Sequence, residues 1–458
     1  MTPIAAAGLD FESRGVERAC ELEAGEVLLL STSLLTDRML FHSRVVDRLE
    51  QSRRVRIWTT AARDGATGSG SAEVESFPRI LPYREFPYNY LRRLNEFVWD
   101  FSLRPPSRLS MMRHVRNGSQ RAHVRALKAP ARLVAMIGAE QRLEGGLETL
   151  LLGYERSPEA TERLAALGPA VVVTTGPFQF EQPAVVAAAR RLGIPCLALI
   201  PSWDNLSTKN RMVLRYDGFI VWSEVAKREL REFYPYSHGV PVYVVGAPQF
   251  DAFFDESFRV SRAEFCASQG LSPDLPVVVY ALGSPNFLRE HFAALDLARS
   301  VARGDLGKVQ LIVRPHPIHD YPTFAGMLEK AHPGIVVQQT ALSGTPISAR
   351  YQDRRQMVEW INTFRHADVV VNLASTATID AAIFDRPTVS LDYDPEPGSP
   401  NAALVRDVNH VWSHFKPVAE SGGVWLARDR ADLTDAIRTY LALPELHREG
   451  RKWVARHV

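Results

Sequence analysis

The sequence predicts an α/β protein of two doubly wound, Rossmann-like domains that face one another across a cleft. Three observations predict it. Short apolar runs rich in Val, Ile and Leu alternate with amphipathic stretches along most of the 458 residues, which is the pattern of βαβ units around a parallel sheet buried on both faces. The alternation comes as two successive series, divided near Gly246. An aromatic and basic stretch at 77–132 interrupts the first series and reads as a helical insertion in the first domain.

The first series opens with an apolar run at 26–30, the small polar turn Ser31-Thr32-Ser33, a helical segment at 38–49 and a strand at 55–60. After the insertion, strands are expected at 170–174, 195–200, 218–222 and 242–245, with helices at 184–192 and 224–233. Residues 246–251 read as a boundary turn, giving domains 1–247 and 248–458. The second series places strands at 276–280, 310–314, 334–338, 369–372 and 388–391. A Pro/Gly loop at 392–398 follows, and a final helix is expected from near Leu433 to the end. Clefts between such domains are where ligands bind.

Composition narrows the function. Hydrophobic residues make up 46% and charged residues 23%, the profile of a globular chain. Lys plus Arg number 54 against 52 Asp plus Glu, so overall charge does not point to nucleic acid. Cys20, Cys196 and Cys266 are far apart and odd in number, which favours a reducing compartment over a disulfide framework. No apolar run is long enough to span a bilayer, and the first residues lack the basic start and apolar stretch of a signal peptide. The expectation is a cytoplasmic chain, with peripheral attachment to the inner membrane left open.

Three strand ends carry the chemistry. The strand at 369–372 runs into Ser375 and Thr376 and then into a helix that contains Asp380. Unpartnered amides and the helix dipole suit a phosphate there, the two hydroxyls add donors, and Asp380 could accept from a ribose. Ser375 is equally suited to be an N-cap. The strand at 310–314 ends in Arg314-Pro315-His316-Pro317. Flanking prolines stiffen that turn, so His316 and Arg314 can present donors to a phosphate. The strand at 195–200 leads to Trp203-Asp204-Asn205, where Asp204 could take the proton of an attacking hydroxyl or simply cap a helix. Gly283 and Ser284 offer a weaker phosphate approach, and Thr175 and Gly176 border the acceptor side. The basic insertion reads either as a solvated helical face or as a surface for anionic lipid or a polyanionic acceptor.

In their order and strand-end placement these stretches resemble the GT-B glycosyltransferase superfamily over about residues 165–400. By motif the nearest groups are CDP-glycerol glycerophosphotransferases, capsule polysaccharide transferases and bacterial sialyltransferases, with UDP-N-acetylglucosamine 2-epimerases further off. The resemblance implies that His316-Pro317 and Ser375-Thr376 hold the donor nucleotide and its phosphates, and that Asp380 sits near the ribose. The glycerophosphotransferases carry a Trp-His-Gly-Thr loop that is implied to supply a catalytic base. The matching place here reads Trp203-Asp204-Asn205. An Asp in place of the His counts against glycerol phosphate and fits an inverting sugar transferase with a carboxylate base. In these families the final helix often crosses back to the first domain. This chain stops inside a helical pattern, so a missing terminal segment is expected.

The expected function is therefore a nucleotide-sugar-dependent glycosyltransferase of glycan or cell-surface polysaccharide biosynthesis, with Asp204 and His316 as catalytic residues. No Asp-x-Asp metal motif is read near these strand ends, and the expected reaction is metal-independent, with no cofactor beyond the nucleotide-activated donor. The expected partners are that donor and a glycan or lipid-linked acceptor. Three alternatives stand beside it: a CDP-glycerol glycerophosphotransferase-like enzyme, a nucleotide-sugar 2-epimerase-like enzyme, and a non-catalytic partner in a polysaccharide assembly complex.

Overall fold

The computed structural model describes residues 25–60, 72–81, 86–114, 122–284, 288–316, 325–326, 328, 335–340 and 352–457. Its strands form two wholly parallel sheets. The first has seven strands in the order β3-β2-β1-β4-β5-β6-β7. They are β1 Val27–Ser31, β2 Val55–Thr59, β3 Glu73–Ser76, β4 Val171–Thr174, β5 Cys196–Leu199, β6 Gly218–Val221 and β7 Val242–Val244. The second has six strands in the order β10-β9-β8-β11-β12-β13. They are β8 Val277–Ala281, β9 Gln310–Arg314, β10 Ile335–Val337, β11 Val369–Asn372, β12 Thr388–Leu391 and β13 Val424–Ala427. Both sheets reverse winding direction once, between β1 and β4 and between β8 and β11. A doubly wound sheet opens its ligand crevice at such a switch point. The expected class holds: two Rossmann-like domains in the GT-B arrangement.

The strands form where β-branched residues can be buried on both faces. Every residue of β1, β8, β9, β11 and β12 is buried. Helix starts follow capping chemistry. Ser223 caps Glu224–Phe233, Ser261 and Glu264 form a capping box at Arg262–Gln269, and Asp353 with Gln356 forms another at Arg354–His366.

Four elements differ from the sequence reading. The edge strands β3 and β13 were not expected: β3 reads Glu-Val-Glu-Ser with both ends exposed and carries little apolar signal, while β13, Val-Trp-Leu-Ala, is an apolar run that the reading of the second series did not include. The helical insertion continues past 132 through Lys128–Met136 and Glu140–Tyr154. The final helix is two, Arg430–Ala442 and Arg448–His457, because Pro444 cannot continue the first.

The domains are packed together along the cleft. One apolar cluster joins Trp203, Trp222 and Phe250 to Met357, Phe415 and Val454. The insertion's helix Pro106–His114 crosses to Ala402–His410 of the second domain. There Ser110 Oγ donates to Asp407 Oδ2 at 2.7 Å, and His114 Nε2 meets the same oxygen at 2.8 Å.

Candidate functional site

Most expected residues gather at the strand ends beside the second switch point. β11 ends at Asn372, and the chain turns through Ala374, at a φ of 40°, into helix Ala377–Ile383. Asn372 Oδ1 accepts from the Ser375 amide at 3.4 Å and from Thr378 Oγ1 at 3.1 Å. Ser375 Oγ accepts from the Ala377 amide at 3.2 Å, so this serine does act as a local cap. A hydroxyl that accepts one bond still has its proton to donate to a ligand oxygen. Thr376 Oγ1 accepts from the Trp203 indole Nε1 at 3.3 Å, which ties the turn to the first domain.

Behind this turn lies a cluster that sequence reasoning found only in part. Arg314, at the end of β9, is buried and donates to Gln338 Oε1 at 2.6 Å. Arg38 comes from the first domain, on helix Leu34–Phe41, and donates through Nε to Gln352 Oε1 at 3.0 Å. Both guanidinium groups lie against the Trp360 ring, at 3.6 Å for Arg38 and 4.9 Å for Arg314. Burial lowers the Arg38 pKa to about 10, opposed by the Asp380 charge and reinforced by Arg314. Arg38 carried no sequence signal of its own, since a basic residue amid Leu, Met and Phe reads as a helix surface.

Asp380 completes the cluster. It is 1% exposed, and neither carboxylate oxygen has a hydrogen-bond partner among the described residues. Burial raises its pKa to about 7, against the pull of Arg38, Arg314 and the Trp360 indole. It therefore lies beneath the Ser375–Thr376 turn as counter-charge to two arginines. The sequence placed this carboxylate at a ribose; in the structure it is buried. His316 follows Arg314 and Pro315 at the same strand end, half-buried. Pro317 lies outside the described residues.

The first-domain side of the cleft is built around Asp204. Its Oδ1 accepts from Ser202 Oγ at 2.5 Å and Asn205 Nδ2 at 3.0 Å, and its Oδ2 accepts from Thr208 Oγ1 at 2.9 Å. Burial would raise its pKa, but Lys209, His414 and the Ser202 and Thr208 hydroxyls outweigh burial and hold it below the usual carboxylate range. A carboxylate so stabilised stays ionised and is a weaker proton acceptor than an ordinary one. Asp204 lines a cavity of about 420 Å³ together with Thr175, Gly176, Asn205, Lys209 and the second domain's Trp412. A cavity of about 390 Å³, among Pro276, Asp368, Arg386 and Tyr440, lies at the far end of the second sheet from the cleft.

His414 faces this group from the second domain and was missed in the sequence. Its ring meets Trp203 edge-on at 5.0 Å, and its Nδ1 has no partner among the described residues. Burial lowers its pKa to about 4, against the opposing charge of Asp204, so the imidazole is neutral near pH 7. An aromatic-flanked His in Trp412-Ser413-His414-Phe415 was the only available signal.

Two turn glycines offered as ligand approaches already have partners. The Gly176 and Thr175 amides both donate to Gln182 Oε1 at 3.0 Å. The Gly283 amide donates to Glu290 Oε1 at 3.0 Å. Burial pushes Glu290 up to about 8, opposed by bonds from Gly283 and Tyr280. Ser284 is half-buried beside it.

An Asp-x-Asp that the sequence reading passed over, Asp392-Tyr393-Asp394, follows β12. Both carboxylates have protein partners. Asp392 Oδ2 lies 3.1 Å from His410 Nε2, and Asp394 accepts from the Glu396 and Asn401 amides. Among the described residues no three His, Cys, Asp or Glu side chains converge as a metal site.

The two-domain GT-B fold thus brings Arg38 of the first domain and Arg314 of the second to one Trp360 ring. Solved structures of similar fold include the UDP-N-acetylglucosamine 2-epimerase of Neisseria meningitidis bound to UDP-GlcNAc. It is 11% identical at a TM-score of 0.50, covering 93% of this chain and 94% of that one. Another is S. aureus MnaA with UDP, 10% identical at a TM-score of 0.50, covering 93% of this chain and 91% of that one. No family model and no curated protein matches the chain. The likeness runs to the group that the motifs had placed further off. Among the described residues no helix is long and apolar enough to cross a membrane.

Proposed function

We propose that this chain is an enzyme acting on a nucleotide-activated sugar held in the interdomain cleft, with chemistry of the nucleotide-sugar 2-epimerase type. The observation that carries the binding half is the convergence of Arg38 and Arg314, from opposite domains, on one Trp360 ring beneath the Ser375–Thr376 turn. Arg314 also pairs with Glu359 Oε2 at 3.8 Å; with the Asp380 carboxyl raised to about 7 by burial, the two guanidinium groups still outnumber the fully ionised carboxylates around them, which suits a diphosphate. The fold likeness to UDP-N-acetylglucosamine 2-epimerases supports the reaction type ahead of the transferase reading.

A second reading, transfer to an acceptor hydroxyl, is favoured by the cavity of about 420 Å³ beside Asp204. In that reading Asp204 Oδ2, which accepts one bond and has a second lone pair, orients the acceptor hydroxyl, and His316 and Ser375 steady the departing phosphate.

The test has two stages. Melting temperature is followed with UDP, CDP, CMP, GDP and dTDP, with and without EDTA, since a ligand of the native state raises it with occupancy. The nucleotide that binds also fixes the donor class, including CDP-glycerol or CMP-sialyl donors. The matching nucleotide sugar is then incubated alone and followed by proton NMR. A C2 epimer without acceptor establishes the first reading. Donor unchanged alone but consumed on adding an acceptor establishes the second. No nucleotide binding by folded protein would remove both.

A further inference from the structure

We propose that the outer face of helix Lys128–Met136 is a docking surface for an anionic lipid bilayer. A surface helix ordinarily turns its polar residues outward. This helix does the reverse. Ala129 and Pro130 are exposed, and Leu133, Met136 and the following Ile137 are 58%, 82% and 67% exposed. Leu133, Met136 and Ile137 stand at i, i+3 and i+4, so they share one face. The inward face is occupied by Ala131 at 0% exposure, with Leu127 and Val134 packed toward Phe97 and Val98.

The flank of that apolar face is cationic. Arg125 and Arg132 are exposed and Lys128 is half-buried, and among the described residues none of the three forms an ion pair. Lys128 Nζ lies 5.4 Å from the Phe97 ring and Arg132 Cζ 5.0 Å from the Phe101 ring, which anchors their stems beside the face. Burial lowers the Lys128 pKa, and the nearby Arg132 and Arg125 lower it further, a sign of crowded like charge. The sequence from 101 to 139 contains no Asp or Glu at all.

Cations that flank large exposed apolar side chains match the two layers of an anionic bilayer surface, headgroup phosphates outside and acyl chains beneath. A nucleic acid would satisfy the cations and leave Leu133, Met136 and Ile137 in water. The surface is separate from the cleft residues, so the inference does not rest on the proposed reaction.

The full chain is sedimented with vesicles of phosphatidylcholine alone and of phosphatidylcholine mixed with phosphatidylglycerol. Binding is expected only to the mixed vesicles, and it should weaken as salt rises. The variant Arg125→Gln/Lys128→Gln/Arg132→Gln should lose about 100-fold in partitioning, from roughly fivefold per charge. Leu133→Ser/Met136→Ser/Ile137→Ser should lose at least about tenfold. All of these side chains border solvent, so both variants should keep the wild-type melting temperature. Wild-type protein left in the supernatant with mixed vesicles overturns the proposal, and so does binding unaffected by the serine substitutions. Binding to single-stranded DNA as tight as to mixed vesicles, and indifferent to the serines, would assign the surface to polyanions instead.

Discussion

Trp203 Nε1 of the first domain donates to Thr376 Oγ1 of the second at 3.3 Å, while the same indole packs edge-on against His414 at 5.0 Å. One side chain thus joins the loop that carries Asp204 to the turn that carries Ser375. Because the ring and the N–H make separate contacts, they can be removed separately.

Trp203→Phe removes the bond across the cleft and keeps most of the ring packing. It should cost about 0.5–1.5 kcal/mol, the usual net worth of one hydrogen bond. Trp203→Ala also empties a buried ring site and should cost about 3–5 kcal/mol. Urea unfolding of both variants checks this. Equal losses would mean that the hydrogen bond is negligible or that the ring is not packed as described.

His414 makes stability depend on pH. Its folded pKa, about 4, lies below the ordinary histidine value of 6.5. The unfolded chain therefore takes up this proton first as pH falls, and stability is lost from about pH 6.5 down to about pH 4. The gap corresponds to about 3 kcal/mol at most. His414→Gln should flatten the curve in that window. Urea midpoints at neutral pH and near pH 5 decide it; a variant that follows the wild-type slope would place the responsible group elsewhere.

Arg38 should matter for ligand more than for fold. It is one of two buried cations on Trp360, so Arg38→Met relieves like-charge repulsion while removing a donor from the cleft floor. A protein that stays folded but binds the nucleotide found in the melting screen about 10–100-fold more weakly is expected, from the worth of one hydrogen bond to a charged group. Calorimetric titration measures it. Unchanged affinity would separate the arginine cluster from the nucleotide site.

How far the sequence could be read follows from where information sits along the chain. The buried strands were legible because each is a local apolar run: β9, β11 and β12 fall where the runs at 310–314, 369–372 and 388–391 placed them. The strand ends were legible for the same reason, and with them Arg314, Ser375, Thr376 and Asp204. What pairs across the cleft was not. Arg38 and Trp360 meet from 322 positions apart (360 − 38), and no local pattern announces that contact. The direction of a side chain was equally hidden, so Asp380 was expected at a ribose and is found under the turn. The amides of Gly176 and Gly283 were offered to ligands because the acceptors that occupy them, Gln182 and Glu290, lie in the following helical segments.

Gly283 and Glu290 give the last test. A Cβ at position 283 would stand 2.6 Å from Glu290 Oε1, so Gly283→Ala must displace a buried side chain. Overpacking of that kind costs about 1–3 kcal/mol. In a Glu290→Ala background the obstructing oxygen is absent, and the same Gly283→Ala change should cost little beyond the background's own loss. Glu290 also makes stability depend on pH. Its folded pKa, about 8, is raised above the ordinary value of 4.5, so its contribution is complete below about pH 4.5 and is lost as pH rises from there through about 8. Glu290→Gln keeps an acceptor for the Gly283 amide without the ionisation, and should hold its stability between about pH 5 and 8, where the wild type declines. A double-mutant cycle with no coupling between positions 283 and 290, or a Glu290→Gln protein that declines in parallel with the wild type, would show that this carboxyl does not support the turn.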